Sequence, residues 1–477
     1  MKIRQQVPLW VGLATLLLAM ISPAAPAGNN AQNVKIVTFN DPDGISMDNF
    51  GASVALSGDG STALIGAFNA VESGVNAGKA YIYTRSNGTW SANPTATFID
   101  PALQTLDKFG SYVTLSTDGS AALVGDAVMT VYVYGKVNGV WATAPSAVLN
   151  DPDSNDGGIF GDCFGCALAL SADGNTALVG ASGVNENGNI GVGKAYIFIR
   201  SNGIWSSIPV ATFSDPGAVN LDDFGNSVAL SADGKTALIG TGHLLGAGRA
   251  FVFTQNNGIW NTTPVATFDI SGKNDLLGSS VALSAAGEVA LVGAQGVNNG
   301  TGIAYIYQTV NGVWPNLPTM TFSAPTVPAG DQFGVSVALS SDGTIAAIAG
   351  NSNLNMFVQL NDTWATQPSS RLTNPDNTGF GSGDVALSSV GDAVLIGFPD
   401  PGNCIILPPN PVPCNPAGPG QAFLFETSND WANPSPAPAP ATASNSGGGS
   451  FDWLSLILIL GLALRHRLWR QNPPVRD

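Results

Sequence analysis

Charge is scarce in this 477-residue chain: only 10% of residues are charged, and 17 Lys and Arg stand against 33 Asp and Glu, a formal charge of −16. A surface this acidic repels nucleic acid and anionic lipid, so neither is an expected partner. The two end segments hold Lys2, Arg4, Arg465, Arg467, Arg470 and Arg476, which leaves the body between them more acidic still. Histidine is nearly absent. One of the 2, His466, lies in the C-terminal basic cluster, and His243 stands in "GTGHLLGAG" with no Cys or acid beside it. No G-x-S-x-G, histidine metal set or phosphate loop occurs. Carboxylates paired from separate parts of the chain are the one catalytic arrangement that the composition leaves open.

Long apolar runs are confined to the ends. "MKIRQQVPLWVGLATLLLAMISPAAPAG" has a basic start, an apolar run from Val7 to Ile21 and Ala25-Pro26-Ala27 before Gly28. It reads as a secretory signal peptide, residues 1–27, because the run is short for a bilayer span. At the other end, a Pro/Ala/Ser/Gly linker, residues 432–450, leads into "FDWLSLILILGLAL" and then "RHRLWR". The apolar segment is marginal for a span, which needs about 20 residues, and the arginines would hold the C-terminus on the cytoplasmic side. This order of glycines, short apolar helix and arginines resembles the GlyGly-CTERM sorting signal of Gram-negative bacteria. The resemblance implies a rhomboid-type sorting protease that cuts near Gly447, Gly448 and Gly449, with Arg465 and Arg467 as the basic end. Release to the cell surface or medium would follow, and a membrane anchor in residues 451–477, with the body outside the cytoplasm, is the alternative.

What the chain has in quantity is repetition. "LSADGNTALVG", residues 170–180, returns as "LSADGKTALIG", residues 230–240. Units begin with Phe-Gly or Leu-Gly at Phe50, Phe109, Phe164, Phe224, Leu277, Phe333 and Phe380, at spacings of 47 to 60 residues. Periods of that size belong to propeller blades. Each unit carries four strand-like runs, with Asp-Gly and Asn-Gly turns supplying the positive φ that tight hairpins need. Trp90, Trp141, Trp205, Trp260, Trp314, Trp364 and Trp431 each follow the second turn and open the fourth run, where packing between blades is the expected role. The last unit lacks its final strand, yet "VKIVTF", residues 34–39, stands alone before the first. The expected fold is therefore all-β: a seven-bladed β-propeller of four-stranded blades over residues 28–431, closed by Val34 to Phe39 beside "QAFLFE".

The units resemble FG-GAP repeats, the blades of the seven-bladed propeller that heads integrin α chains and many bacterial surface proteins. The shared residues are pairs such as Phe50-Gly51 and Gly66-Ala67. Calcium-binding members carry a DxDxDG loop between the first two strands, whereas that loop here is "GDG", "TDG", "ADG" or "AAG". One Asp cannot supply the six or more oxygens that Ca²⁺ takes, so no cofactor is expected at that place.

Both tight turns of a unit fall on one face, and the variable loops and blade crossings fall on the other, to which function is assigned. Asp48, Asp107, Asp162, Asp222, Asp275 and Asp331 each stand two residues before a unit start, with Thr378 in the seventh. They support two readings: a cation-holding ring, with Ca²⁺ the candidate, or acceptors for main-chain N–H groups of their own turns. Repetition in every unit favours the second. "DPDSNDGG", from Asp151 to Gly158, is a separate cation candidate. The 4 cysteines suggest two disulfides in an exported protein, Cys404 with Cys414 and Cys163 with Cys166, the latter in "CFGC". A redox-active CxxC is the sharper reading of "CFGC", but such motifs draw reactivity from a helix N-terminus and this one opens a strand. All 8 Tyr fall in expected strands, and loops such as "SGVNENGNIGVG" lack aromatic platforms for sugars. The expected function is that of an exported, non-catalytic interaction or adhesion module with a protein or extracellular-matrix partner. A carbohydrate-active propeller, lyase or glycoside hydrolase, is the alternative.

Overall fold

The computed structural model describes residues 34–431, apart from 46, 106, 127–128, 154–161, 243–247, 271–274, 325–328, 376–378, 382, 400–418 and 428–430. The signal peptide, the linker, the C-terminal segment with Gly447, Gly448, Gly449, Arg465 and Arg467, the Cys404–Cys414 pair, His243, Thr378 and most of "DPDSNDGG" lie outside the described residues.

Seven antiparallel sheets form seven blades of a β-propeller. In the first blade the chain runs through an inner strand Phe50–Leu56, a second strand Thr62–Ala67 and a third strand Lys79–Ser86. The inner strands of successive blades touch around the axis, and that of the seventh, Val385–Leu387, touches that of the first. Second strands such as "TALIGA" are buried along their whole length, as expected of strands covered on both faces by neighbouring blades.

The fourth strand departs from the sequence expectation. It is two pieces, Thr89–Trp90 and Ala96–Ile99, both paired with the third strand. The break holds Pro94, and Pro145, Pro209, Pro264, Pro318 and Pro368 occupy the same place in the next five blades. Proline has no N–H for the ladder, so the chain swings out and returns with the following residue, as when Thr95 N–H donates to Ile82 O at 2.7 Å. The detour leaves five of the seven Trp edge-on to a Phe of the preceding blade, as Trp90 to Phe39 at 5.2 Å, Trp141 to Phe98 at 5.8 Å and Trp260 to Phe213 at 5.4 Å, while Trp205 and Trp431 share their cores with Leu149 and Leu372.

The hairpin that repeats as "LSADG" is a hydrogen-bonding device. Ser171 Oγ donates to Asp173 Oδ1 at 2.6 Å and accepts Thr176 N–H at 2.9 Å. The same pair of bonds recurs at Ser57, Ser116, Ser231 and Ser340. Just beyond each serine, main-chain bonds link blade to blade around the axis. Gly58 N–H donates to Thr117 O at 2.8 Å, Asp118 to Ala172 at 3.2 Å, Ala172 to Ala232 at 2.9 Å and Ala232 to Ala285 at 2.9 Å. Ala285 donates to Ser341, Ser341 to Ser389 and Ser389 back to Gly58, each at 2.8 Å, so the belt is closed.

Closure of the ring follows the sequence expectation. Val34–Asn40 pairs antiparallel with Gln421–Thr427, from Val34 opposite Thr427 to Asn40 opposite Gln421. The seam also carries a polar latch found at no other described blade junction. Glu426, buried in the third strand of the last blade, accepts Lys35 Nζ at 3.0 Å, Arg85 at 2.9 Å and Trp90 Nε1 at 3.3 Å. By contrast, the buried indole N–H groups of Trp141, Trp205, Trp260 and Trp364 have no partner. Glu426→Ala removes the shared acceptor of two partly exposed cations and a buried indole, and is expected to lower the unfolding free energy by about 2 kcal/mol. Thr84→Ala, at the same place one blade on, should change it by less than about 1 kcal/mol. Urea unfolding of both variants checks this, and equal losses would show the seam to be an ordinary blade junction.

Candidate functional site in the crossing turns

Each crossing turn runs from the end of one blade's fourth strand to the inner strand of the next. Four of these turns open on Asp-Pro: Asp41, Asp100, Asp151 and Asp215. Their carboxylates accept main-chain N–H groups two residues on, as with Asp43 N–H to Asp41 at 2.9 Å and Gly217 N–H to Asp215 at 2.7 Å. The aspartates singled out from sequence come at the far end of the same turns. Phe50 N–H donates to Asp48 Oδ1 at 3.0 Å, Val219 N–H to Asp222 at 2.8 Å and Ser352 N–H to Asp331 at 3.0 Å. Main-chain oxygens of Asp48, Asp162, Asp275 and Asp331 accept N–H groups of the loop that follows the second strand. Each of these aspartates is thereby fixed to the loops of its own blade.

The six are not gathered into one ligand set. Among the described residues no group of three or more His, Cys, Asp or Glu could hold a metal ion. What the structure does bring together is pairs: Asp41 with Asp48, Asp100 with Asp107, and Asp215 with Asp222. Burial, Asp41 and Asp43 push Asp48 up to about 7, against the N–H bond from Phe50. Burial, Asp100 and Asp126 push Asp107 up to about 6. Burial raises Asp215 as well, with Asp222 adding to the effect and Arg249 opposing it.

Three of the turns receive a cation from the start of a third strand. Lys79 Nζ lies 2.8 Å from Asp43 and 3.0 Å from Glu72. Lys194 Nζ lies 3.0 Å from Asp153 and 3.2 Å from Glu186, and Arg249 lies 2.5 Å from Asp215 and 3.1 Å from Asp222. Burial acts against the charge on Lys79, but Asp43 and Glu72 outweigh it and hold the ammonium above its ordinary range. Tyr81 and Tyr196 add hydroxyl donors, to Asp43 at 3.0 Å and to Asp153 at 2.6 Å. In the second blade the corresponding residue is Thr130, whose N–H donates to Asp126 at 2.9 Å. Sequence reasoning passed over the Asp-Pro partners and these cations. Their signal was in the sequence, in the Asp-Pro upstream of four of the six marked aspartates and in the cations Lys79, Lys194 and Arg249 at the start of three third strands.

The "CFGC" pair forms a disulfide, Cys163–Cys166, with Cα atoms 5.3 Å apart. It bridges the turn in which Cys166 N–H donates to Cys163 O at 3.0 Å, a turn that the other blades make without sulfur, as at Asn49 and Ala52.

Residues 34–83 match the FG-GAP repeat family, a stretch that spans the closing strand and most of the first three strands of the first blade. No curated protein matches the chain. The FG-GAP β-propeller is in general terms a fold for protein interaction. Among the described residues no helix is long and apolar enough to cross a membrane.

The raised aspartates give stability a pH dependence of definite sign. With folded values of about 7 and 6 against 3.8 unfolded, Asp48 and Asp107 bind protons more tightly in the folded state. Their contribution is full below 3.8 and is lost as pH rises through 6 and 7. The urea midpoint should therefore rise between pH 8 and pH 5.5, and the double variant Asp48→Asn/Asp107→Asn should flatten the rise. A slope unchanged in that variant would assign it to the general acidity of the surface.

Proposed function

We propose that the protein is an exported, non-catalytic interaction module that binds a protein or matrix partner through the face bearing the crossing turns and variable loops. The observation that carries the reading is the contrast between the two faces. The hairpin face repeats the same serine–aspartate turn in five blades and carries the closed belt, while the loops on the other face differ from blade to blade in length and residues. The first blade inserts a small hairpin, Val71–Glu72 with Val75–Asn76, and the fifth a short turn, Val297–Gly300, with Asn298 and Asn299 at positive φ, at the corresponding place.

Burial supports the non-catalytic part. Asp48, Asp107 and Asp215 have the raised proton affinity that a glycosidase-like acid would require, yet they are 1%, 6% and 5% exposed and cannot reach a polysaccharide, and Asp384, which burial also raises, is tied up by the hydroxyls of Ser53 and Ser336. The Cys163–Cys166 disulfide supports export to an oxidising compartment. Signal peptide, sorting tail and surface or secreted destination belong to the same proposal, as does contact with a sorting protease.

The test is surface binding of the full chain to collagen, fibronectin and laminin, in parallel with a variant in which residues 185–190 are replaced by Gly-Ser. Specific binding that falls at least tenfold in the variant is the expected result. Release of reducing ends or unsaturated uronate from a polysaccharide panel, abolished by a loop-face carboxylate substitution, would overturn it in favour of an enzyme.

A further inference from the structure

A cavity of about 150 Å³ opens on the axis at the hairpin face. It is lined by the last leucine of every inner strand, from Leu56 in the first blade to Leu387 in the seventh, and by Gly58, Thr117, Ala232, Ala285, Ser341 and Ser389 at the mouth. The leucine side chains belong to the cores between blades, where Leu56 packs with Phe50, Ile65 and Leu395. What lines the axis is main chain. Ser57 N–H donates to Thr62 O at 2.8 Å, so Ser57 and Thr62 are a hydrogen-bonded pair and the next pair, Leu56 opposite Ala63, is of the other kind. The N–H and C=O of Leu56 therefore point away from the second strand. Since the inner strand ends its sheet, they point at the axis. The same register holds around the ring, as for Ser116 to Ala121 with Leu115 opposite Ala122, and Ser388 to Ala393 with Leu387 opposite Val394.

Main-chain groups turned into a cavity require polar partners. Charge at the mouth decides which sign they meet. The residue after each mouth position is Asp59, Asp118, Asp173, Asp233 or Asp342 in five blades, and Ala286 or Val390 in the other two. These carboxylates are fixed: although burial would raise them, hydrogen bonds from Ser57 and Ser61 hold Asp59 below its ordinary value, and Asp118, Asp173 and Asp342 are held down in the same way. Lys235 lies 3.7 Å from Asp233 and Lys136 acts on Asp59, yet five carboxylates against two ammonium groups leave the opening negative, which disfavours anions and concentrates cations.

We propose that the axial cavity binds a protonated amine, whose ammonium donates to leucine carbonyls inside a mouth ringed by aspartates. A cavity of this size holds roughly five waters at about 30 Å³ each, room for one alkylammonium head with the waters that the leucine N–H groups need. A bare divalent ion needs oxygens at about 2.3–2.6 Å on all sides, and no described carboxylate group is built for that. The free diamine and the lysine side chain of a partner share the recognised chemistry. This site is on the opposite face from the loops of the proposed function and stands apart from it.

The test is calorimetric titration of the full chain at low salt with cadaverine, with the peptide Gly-Gly-Lys-Gly-Gly, with glutarate and with Ca²⁺. A dissociation constant on the order of 1 mM is expected for at least one amine probe, and none measurable for glutarate. Binding of the peptide alone assigns the site to a partner's lysine, and of cadaverine alone to a free polyamine. Asp59→Asn/Asp118→Asn/Asp173→Asn keeps the Oδ1 acceptor of each turn and should weaken binding at least fivefold. Ala285→Phe, which fills the mouth, should weaken it at least tenfold, with Ser341→Phe as the second filling variant should the first melt early. Asp275→Asn on the loop face should leave it within twofold. Undiminished amine binding in a folded mouth-filling variant would place the amine outside the cavity and overturn the proposal. So would tighter binding of Ca²⁺ than of either amine, or no heat from either amine.

Discussion

A ring of blades is stable only if it closes, and closure here rests on one antiparallel pairing, Val34–Asn40 on Gln421–Thr427. The pairing joins residues as far apart as Lys35 and Glu426, which are 391 positions distant in the chain. Loop-closure entropy grows only with the logarithm of length, so the distance itself is a modest cost. The larger matter is what would be left unpaired without it. The outer edge of the last sheet would lie bare, and Glu426 would lose the partner that comes from the N-terminal strand. The axial belt depends on the same event, because the bond from Ser389 to Gly58 joins the seventh blade to the first. Ladder, latch and belt are thus three consequences of one closure.

The repeated residues are those that the blade interface requires. A Cβ on Gly66 would sit 2.0 Å from the carbonyl oxygen of Gly110 in the next blade, so the Gly-Ala of one unit and the Phe-Gly of the following one meet backbone to backbone. Gly110 itself has φ of 86°, open to glycine and strained for other residues. Both glycines recur because two sheets must approach closely near the axis, while the Trp–Phe contacts fill the wider gap near the rim. Repetition therefore speaks to the geometry of packing. It carries little information about ligands.

That distinction explains how much the sequence could reveal. The strand that completes the last blade was legible because its Val-Thr-Phe matches the strand missing there, and the hairpins were legible because Asp-Gly at fixed spacing has one structural meaning. The interrupted fourth strand was written in six prolines but masked by the apolar run that continues past them. The carboxylate pairs escaped notice because the partner aspartate and its cation come from different strands, so that Asp215, Asp222 and Arg249 meet only once the blade is folded. The axial leucine carbonyls were beyond sequence reading altogether. Every residue has a carbonyl, and only the register of Leu56 against Ala63 tells where this one points.

Function in such a scaffold must reside in what the blades do not share. A common geometry is imposed on all crossing turns, yet Lys79, Lys194 and Arg249 neutralise three of them, while the second blade has Thr130 at that place. Packing cannot demand this difference, because the backbone path is common to the blades. The same argument separates the two faces. On the hairpin face the aspartates double as turn locks, so the fold alone accounts for their presence in five of the seven blades. Their negative charge at the axis is then a by-product that a ligand can exploit without any residue being reserved for it. On the loop face, by contrast, each inserted element, such as the hairpin at Val71–Asn76, is an addition that the ring does not need. An addition without a packing role is where selection for a partner can act without disturbing the closure on which the molecule depends.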